Sequence, residues 1–237
     1  MMVRQAIVLA AGEGRRLRPV TLYTPKPLVP FYGRALVDWA IDKLVAVGVT
    51  RIAVNAHHLA DAVAAHIDAV AARRPGIEFH LSREDALLGT GGAVRNLRAW
   101  LTPGEAFFVL NADAVFAESP SILSERLGSR SAALLVTRES TYAIERRLIV
   151  VNDLLVRLDE ASDPSGSTFC GLTLADHALP ERLPDGPSCI LRQGFLPYLD
   201  RLAVACVETH AFFADTGTPE ALIDAHVRGY RWVSQLT

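Results

Sequence analysis

Near the start of the chain stands a segment rich in glycine and arginine, Leu9-Ala10-Ala11-Gly12-Glu13-Gly14-Arg15-Arg16-Leu17-Arg18-Pro19. The run Gln5–Ala10 that leads into it is mostly apolar, which is typical of a strand buried on both faces of a sheet. Glycines and small residues let the backbone approach a ligand closely and point N–H groups at phosphate oxygens. Arg16 and Arg18 add positive charge with a geometry suited to phosphate. The segment therefore predicts a phosphate-binding loop after a buried strand.

The spacing of this loop excludes two widespread phosphate-binding motifs. Gly12 and Gly14 match the first two glycines of the dinucleotide fingerprint, but Leu17 stands at the third position. No Gly-Lys-Ser/Thr triplet follows, so the loop is not a Walker motif either. The glycines together with Arg-Arg-Leu-Arg-Pro indicate a different class of nucleotide site.

A second segment supplies a lysine between prolines, Thr24-Pro25-Lys26-Pro27-Leu28-Val29-Pro30. The prolines restrict the backbone on both sides of Lys26 and lower the cost of holding its side chain in one place. A lysine held in this way, next to the glycine loop, is suited to a phosphate contact.

The chain alternates apolar strands with amphipathic helices. The first half predicts strands over Gln5–Ala10, Arg51–Asn55, Ile77–Leu81 and Ala106–Leu110, and helices over Leu36–Val47, Leu59–Ala72 and Gly91–Trp100. The second half predicts strands over Ala132–Thr137, Thr168–Leu174 and Leu202–Val207, a hairpin of Arg147–Val151 with Leu154–Asp159, and a closing helix over Thr218–Arg231 capped by Thr218. The polar stretch Asp159–Ser167 predicts a loop over a site.

This order predicts a single α/β domain with a Rossmann-like, mostly parallel but mixed central sheet and helices on both faces. Ligands bind at the carboxyl ends of the strands in such sheets. Two segments follow those ends, Ala11–Pro30 after the first strand and Asn111–Asp113 after the fourth. We expect them to meet at one site.

The composition excludes some classes of binding partner. Half of the 237 residues are hydrophobic and the net charge is −2, which gives no basic excess for a nucleic acid. No apolar run approaches the roughly 20 residues that span a bilayer, and the N-terminus does not resemble a signal peptide. The three cysteines form no CxxC pair and are expected to be buried or half-buried thiols. We therefore expect a cytoplasmic protein without nucleic-acid or membrane partners.

The glycine loop and the Lys26 segment together resemble the motifs of the sugar-1-phosphate nucleotidyltransferase family. The likeness is greatest to the short bacterial branch that includes N-acetylmuramate 1-phosphate uridylyltransferases, and it covers nearly the whole chain. Four further segments match in order: Glu84–Gly92 is similar to the family's base-binding loop, Asn111-Ala112-Asp113 to its first metal-binding segment, Phe169-Cys170-Gly171 to its sugar-contacting strand, and Asp215-Thr216-Gly217-Thr218 to its second metal-binding segment.

The resemblance implies a nucleotidyltransferase fold, with residues 1–115 as a nucleotide-binding half and 116–237 as a sugar-binding half. It implies transfer of a nucleoside monophosphate from a triphosphate, with UTP favoured, to a sugar 1-phosphate, with Mg²⁺ held by Asp113 and Asp215. Arg16 would meet the β- and γ-phosphates, Lys26 would stabilise charge on the α-phosphate, and Asp113 completes the catalytic set. The implied nucleotide-binding residues are Leu9, Ala11, Gly12, Gly14, Arg16, Lys26, Glu84, Gly89, Thr90 and Gly92, and the implied acceptor-binding residues are Asn111 and Gly171.

Three features depart from the family pattern. Ala112 stands where many members have glycine, which predicts possible crowding of the triphosphate. No lysine follows Lys43, so the sugar-phosphate contact would fall to Arg146, Arg147, Arg192 or backbone donors. Larger relatives append a β-helix of hexapeptide repeats; this sequence shows none, so a second acyltransferase activity is not expected.

Several alternatives stay open. A phosphocholine cytidylyltransferase shares the first-half motifs and would need an aromatic cage, for which the second half offers Phe169, Phe195, Tyr198, Phe212 and Phe213. A catalytically silent regulatory subunit that binds nucleotide sugars is a further class. Glu84 is either a hydrogen-bond acceptor near the base or an ordinary surface residue. Adjacent histidines in a strand or loop point apart, so metal binding by His57 and His58 is not expected. The chain is a monomer or a homodimer.

Overall fold

The computed structural model describes residues 2–138, 146–160 and 165–235, with the side chains of residues 146 and 160 left aside. Its strands are β1 (Gln5–Leu9), β2 (Pro30–Phe31), β3 (Arg34–Ala35), β4 (Arg51–Ala56), β5 (Glu78–Arg83), β6 (Phe107–Asn111), β7 (Ala114–Phe116), β8 (Ala132–Thr137), β9 (Arg146–Val151), β10 (Leu154–Glu160), β11 (Thr168–Ala175), β12 (Val204–Glu208) and β13 (Phe213–Asp215). Its α-helices are α1 (Leu36–Ala46), α2 (Ala60–Ala72), α3 (Gly89–Asn96), α4 (Ser121–Leu127), α5 (Leu179–Arg182) and α6 (Pro219–Val233).

One nine-stranded sheet organises the described residues, in the order β5-β4-β1-β6-β11-β8-β12-β10-β9. Strands β5, β4, β1 and β6 pair in parallel, and of the remaining strands β11 and β10 run against the common direction. The expected mixed, mostly parallel α/β sheet in a single domain is thereby confirmed. The carboxyl ends of β4, β1 and β6 lie side by side, because Asn55, Leu9 and Asn111 share one register.

Helices cover both faces of the sheet, and the alternation of side chains along β1 shows how. Ala6 and Val8 pack with α1, α2 and α4 in one core, which we call the α1 face. Ile7 packs with α3 and α5 in a second core, which we call the α3 face. Each apolar side chain of β1 therefore has a helical layer to pack against, as the mostly apolar run predicted. Helix α6 closes a third, smaller core that contains Phe31, Trp39 and Ala225.

The predicted elements are present with ends shifted by a few residues. The helix expected over Gly91–Trp100 is α3 at Gly89–Asn96, so that prediction was wrong at both ends: the glycines begin the helix, and tighter turns replace it after Asn96. Thr218 caps α6 as predicted, since its hydroxyl accepts a hydrogen bond from the Ala221 N–H at 3.2 Å. The hairpin β9–β10 is also present, and its turn residues Asn152 and Asp153 both have positive φ.

The cysteines behave as expected of buried thiols. Cys170 and Cys206 are buried and Cys189 is half-buried, all three as free thiols. Burial raises the pKa of the Cys206 thiol to about 12, with a further rise from Asp153. Such thiols stay protonated and unreactive at neutral pH. In the described ranges, no helix is long and apolar enough to cross a membrane.

Candidate active site

An open cleft of about 370 Å³ lies at the carboxyl ends of β1, β4 and β6. This is where an α/β sheet of this topology binds its ligands. Ten of the predicted site residues line it, and the structure brings them together from four separate segments: Leu9, Ala11, Gly12, Gly14, Arg16, Lys26, Gly89, Thr90, Asn111 and Asp113.

The glycine loop leaves β1 and forms one wall of the cleft. Gly14 has φ +62°, and a Cβ there would lie 2.7 Å from Thr21 Cγ2, so both conformation and space require glycine. The Thr21 hydroxyl donates to the Gly14 carbonyl at 2.7 Å, which ties the loop to the following turn. Gly12 differs, because nothing lies within 4 Å of a Cβ built there. The protein itself leaves that space open on the cleft side of the loop.

Lys26 reaches the cleft from the proline-flanked segment, and its ammonium group forms an ion pair with the Asp113 carboxylate. The Lys26 side chain is 12% exposed, so the charge is held in a confined place. A short 3-10 turn over Lys26–Leu28, entered from the extended Pro25, fixes the direction of the side chain. The expectation that the prolines hold this lysine in one position agrees with the geometry.

Two carboxylates meet because of a strand pair that sequence patterns did not predict. Strands β7 and β13 pair antiparallel, with Asp215 opposite Ala114, the neighbour of Asp113. The Thr216 hydroxyl donates to the Asp113 carbonyl at 2.8 Å and locks the two segments together. Asp215 is not itself among the residues that line the cleft, but this pairing places it beside Asp113 and next to Gly217, which both line it.

The electrostatics of this pair are unfavourable for two bare anions. Asp215 is exposed as a residue, but its carboxyl lies against Gly217, and desolvation there raises its pKa. The charge of Asp113 raises the pKa of Asp215 further. Lys26 and Arg16 lower the pKa of Asp215 and so offset part of that rise. A site that holds two carboxylates against repulsion favours a bound cation.

The residues present fit a magnesium ion. Asp113 and Asp215 offer hard oxygen ligands, and Mg²⁺ is usually held by one or two carboxylates together with waters and substrate phosphates. Over residues 2–138, 146–160 and 165–235, no group of three or more His, Cys, Asp or Glu side chains is placed to hold a metal ion. His57 and His58 instead hydrogen-bond the carbonyls of Glu84 and Thr21, each at under 3 Å.

Three predicted nucleotide-binding residues lie in the first turn of α3, but they have different surroundings. Gly89 lines the cleft with φ +68°. Thr90 also lines it, and its hydroxyl accepts a hydrogen bond from the Ile190 N–H at 3.0 Å. Gly92 lies away from the lining: a Cβ there would sit 2.4 Å from the Gly186 carbonyl oxygen. Gly92 is therefore needed for packing against the loop that contains Gly186.

Glu84 is neither an exposed surface residue nor part of the cleft lining described above. It is 7% exposed, and both of its carboxylate oxygens accept hydrogen bonds inside the protein. The surface alternative for this residue is therefore wrong. Its donors are the Asn55 amide and the Leu88 N–H, at 2.7 and 3.0 Å.

Asn111 ends β6 in the cleft, and Gly171 of β11 lies behind it. Gly171 has φ +79°, and a Cβ there would lie 2.7 Å from Ala114 Cβ and 3.2 Å from Asn111 Cβ. Its role in the structure is to let β11 approach these residues. Ala112 is 3% exposed and belongs to the core on the α1 face, so its methyl group has a packed place there. Ala112 also lines the cleft, so crowding of a triphosphate by its methyl group stays a prediction.

The arginines considered for the sugar phosphate have varied surroundings. The Arg146 side chain falls outside the described residues. Arg147 donates to the Gly166 carbonyl at 3.3 Å, while its buried Nε makes no hydrogen bond to the described part of the chain. Arg192 is exposed on a π-helical turn over Ile190–Phe195. The stretch Asp159–Ser167, expected to cover the site, is described only at residues 159–160 and 165–167.

Other cleft residues were missed by sequence reasoning. Asn55 lines the cleft from β4, and a buried polar residue in an apolar strand was the available signal. Gly217 was named only as part of the segment Asp215-Thr216-Gly217-Thr218 and was given no role, yet it lines the cleft, and a Cβ there would lie 2.7 Å from Arg16 Nη2 and 2.8 Å from Asp215 Oδ1. The remaining lining residues that were not predicted are Ala10, Arg15, Pro27, Leu87 and Ala112.

Comparisons with known proteins agree with this geometry. The family model described as Nucleotidyl transferase matches residues 5–142. The chain is 32% identical to the N-acetylmuramate alpha-1-phosphate uridylyltransferase of Caulobacter vibrioides, over 94% of this chain and 96% of that protein. It is 25% identical to the mannose-1-phosphate guanylyltransferase catalytic subunit beta of Dictyostelium discoideum, over 91% of this chain but 62% of that protein.

A solved structure extends the comparison to three dimensions. The inositol-1-phosphate CTP transferase from T. maritima superposes with a TM-score of 0.80 over 93% of this chain and 92% of that one. The two sequences are 19% identical, so this likeness shows the fold alone. The sequence relatives and the fold are both consistent with a functional site in this cleft.

Proposed function

The chain belongs to the nucleotidyl transferase family, whose relatives here are sugar-phosphate nucleotidyltransferases, and on that premise we propose its reaction. The enzyme transfers UMP from UTP to the phosphate of N-acetylmuramate 1-phosphate or a related hexose 1-phosphate. The observation that carries the proposal is the convergence of the glycine loop, Lys26 and Asp113 in one cleft, with Asp215 close enough to Asp113 for each charge to affect the other. The choice of UTP and of the acceptor rests on the similarity to the Caulobacter vibrioides protein over nearly the full length of both chains.

The chemistry is an in-line displacement. A phosphate oxygen of the sugar 1-phosphate attacks the α-phosphorus of UTP, and the bond to the bridging oxygen of pyrophosphate breaks. The products are a UDP-sugar and pyrophosphate. Such transfers depend on positioning and on neutralising charge, with little covalent work for the protein.

The residues of the cleft supply these two requirements. Backbone N–H groups of the glycine loop and the Arg16 guanidinium bind the phosphates of the donor. Lys26 stabilises the negative charge that builds on the α-phosphate. The small residues Ala11 and Gly12 leave room for the nucleotide against the end of β1.

Asp113 and Asp215 would hold Mg²⁺, which supplies positive charge and Lewis acidity at the phosphates when bound. Lys26 pairs with Asp113 and also lowers the pKa of Asp215, so its charge offsets part of the repulsion between the two carboxylates.

The acceptor site belongs to the second half of the chain in this proposal. Residues 1–115 form the nucleotide-binding half and residues 116–237 the sugar-binding half. Asn111, which lines the cleft, and Gly171, which packs against Asn111, are the residues proposed to meet the acceptor. Because no lysine follows Lys43, arginine or backbone donors would bind the sugar phosphate.

The phosphocholine alternative finds little support in the packing. Phe169 and Phe195 belong to the core on the α3 face, and Phe213 packs on the α1 face. Phe212 stacks on Trp232 in the third core. Four of the five candidate aromatics are thus divided among separate cores, whereas a quaternary ammonium group needs several rings around one point.

Pyrophosphate release tests the proposal. The purified enzyme with Mg²⁺ is incubated with UTP, GTP, dTTP or CTP, each against a panel of sugar 1-phosphates and phosphocholine. We expect turnover with UTP and a hexosamine-type 1-phosphate, and loss of turnover by orders of magnitude in Asp113→Asn with the fold retained. Turnover with another pair would replace the donor and acceptor named here. Folded protein that binds UTP but is silent across the panel would favour the regulatory subunit.

A further inference from the structure

A chain of hydrogen bonds connects the glycine loop with the loop before α3. Asn55 Oδ1 accepts a hydrogen bond from the Ala10 N–H at 2.7 Å. Asn55 Nδ2 donates to Glu84 Oε1 at 2.7 Å, and Glu84 Oε2 accepts from the Leu88 N–H at 3.0 Å. Asn55 and Glu84 are 3% and 7% exposed. We call these three bonds the Asn55–Glu84 relay.

The donors and acceptors of the relay can be arranged in only one way. A backbone N–H can only donate, so the Ala10 N–H requires the amide oxygen of Asn55. An ionised carboxylate can only accept, so Glu84 requires the amide nitrogen of Asn55 and uses its second oxygen for the Leu88 N–H. Reversing any one group leaves two donors or two acceptors facing each other in a buried place, which is costly.

The far side of the same loop is fixed independently. The Ser188 N–H donates to the Leu88 carbonyl at 2.9 Å, and the Ser188 carbonyl accepts from the Gly91 N–H at 2.8 Å. The relay and Ser188 therefore hold the N–H and the carbonyl of Leu88 separately. Loss of the relay would loosen the backbone at Leu88, whose neighbours Leu87 and Gly89 form part of the cleft lining.

We propose that Asn55 and Glu84 are positioning residues that set the spacing between the glycine loop and the loop Glu84–Thr90, and through it the affinity for the nucleotide. Glu84 acts through Leu88 and the loop backbone and does not touch the base with its charge. This inference rests on the proposed function, in which the glycine loop meets the donor's phosphates and the second loop its base. It replaces the expectation that Glu84 is a direct acceptor for the base.

Exchanging the amide of Asn55 and the carboxylate of Glu84 tests the relay directly. In Glu84→Gln, one side-chain oxygen is replaced by a donor that faces either the Asn55 amide or the Leu88 N–H. In Asn55→Asp, a second carboxylate faces Glu84. The double variant Asn55→Asp with Glu84→Gln satisfies every group again: Asp accepts from the Ala10 N–H and from the Gln amide, whose oxygen accepts from the Leu88 N–H. The net charge of the double variant equals that of the wild type.

Steady-state kinetics give the first readout. We expect each single variant to raise the KM for the nucleoside triphosphate about 10- to 100-fold, as for the loss of a buried hydrogen bond to a charged group, with a smaller change in kcat. We expect the double variant to recover most of the loss in KM. The matched control is Glu78→Gln on β5, whose carboxylate pairs with Arg51 outside the cleft and whose amide form should leave the KM unchanged.

Amide hydrogen exchange gives a readout that does not depend on turnover. The Ala10 and Leu88 amides of the nucleotide-free protein should be protected in the wild type and the double variant, and exchange faster in each single variant. A wild type that neither binds nor turns over a triphosphate would refute the proposed function, while the exchange pattern would still report on the relay. A double variant as defective as Glu84→Gln in KM, or singles with wild-type exchange and KM, would overturn the relay.

Discussion

The variant Gly12→Ala distinguishes the effect of residue 12 on stability from its effect on ligand binding. A Cβ at position 12 has nothing within 4 Å, and the backbone there is outside the left-handed region. Replacing glycine by alanine in such a place reduces the entropy of the unfolded chain and stabilises by about 0.4–1 kcal/mol. For a chain of this length, that raises the Tm by roughly 1–4 °C.

The same methyl group lies on the wall of the cleft, where the nucleotide is proposed to bind. Overpacking by one methyl in a close contact costs about 1–3 kcal/mol, so the KM for the triphosphate should rise roughly 10- to 100-fold. Thermal unfolding and steady-state kinetics on the same preparation measure both effects. Gly76→Ala is the matched control, because its Cβ also meets nothing within 4 Å and Gly76 lies outside the cleft lining.

The control should show the gain in Tm without the change in KM. A Gly12→Ala variant that keeps the wild-type KM would show that the nucleotide does not approach this wall closely, contrary to the proposal. A large fall in its Tm would contradict the open space found at position 12.

Three further outcomes follow from the site. Gly171→Ala should lower the free energy of unfolding by about 2–4 kcal/mol and the Tm by roughly 5–15 °C. The positive φ at position 171 and a Cβ only 2.7 Å from Ala114 Cβ both disfavour a side chain there. Unchanged thermal unfolding would contradict the close approach of β11 to Ala114. Lys26→Met should lower kcat about 100- to 1000-fold while circular dichroism stays that of the wild type, and near-normal kcat would remove Lys26 from the chemistry. Asp215→Asn should raise the Tm of the metal-free protein slightly at neutral pH, since the folded state raises the pKa of the wild-type carboxyl and so disfavours its ionised form. That advantage should begin to shrink as the pH falls through the raised pKa and disappear below about 3.9, the ordinary aspartate pKa, where the carboxyl is protonated in the folded and the unfolded chain alike. A pH-independent difference would count against this cause.

The glycine-loop side of the cleft was largely predictable from sequence, for local reasons. A buried strand followed by Gly12, Gly14 and Arg16 predicts a phosphate-binding loop at a strand end, whatever the rest of the chain does. Lys26 between prolines is likewise a local feature. These segments could be read without knowing which strands pair.

The features that escaped prediction depend on distant pairings. Strands β7 and β13 have three residues each, too few for an apolar period to appear, and their pairing is what brings Asp215 beside Asp113. Their meeting was expected only from the family resemblance. Gly92 was read as a ligand-binding glycine because its packing partner, the Gly186 loop, lies far away in sequence. Glu84 could not be placed at all without Asn55, whose amide is its partner in the buried relay.

Phosphorus NMR of the complete reaction is the decisive measurement for nucleotidyl transfer to a sugar 1-phosphate in this cleft. With UTP, N-acetylmuramate 1-phosphate and Mg²⁺, we expect the coupled resonances of a nucleotide-sugar diphosphate and an equal amount of pyrophosphate, both absent with Asp113→Asn. Release of UMP or inorganic phosphate without a nucleotide sugar, or equal product from Asp113→Asn, would contradict it.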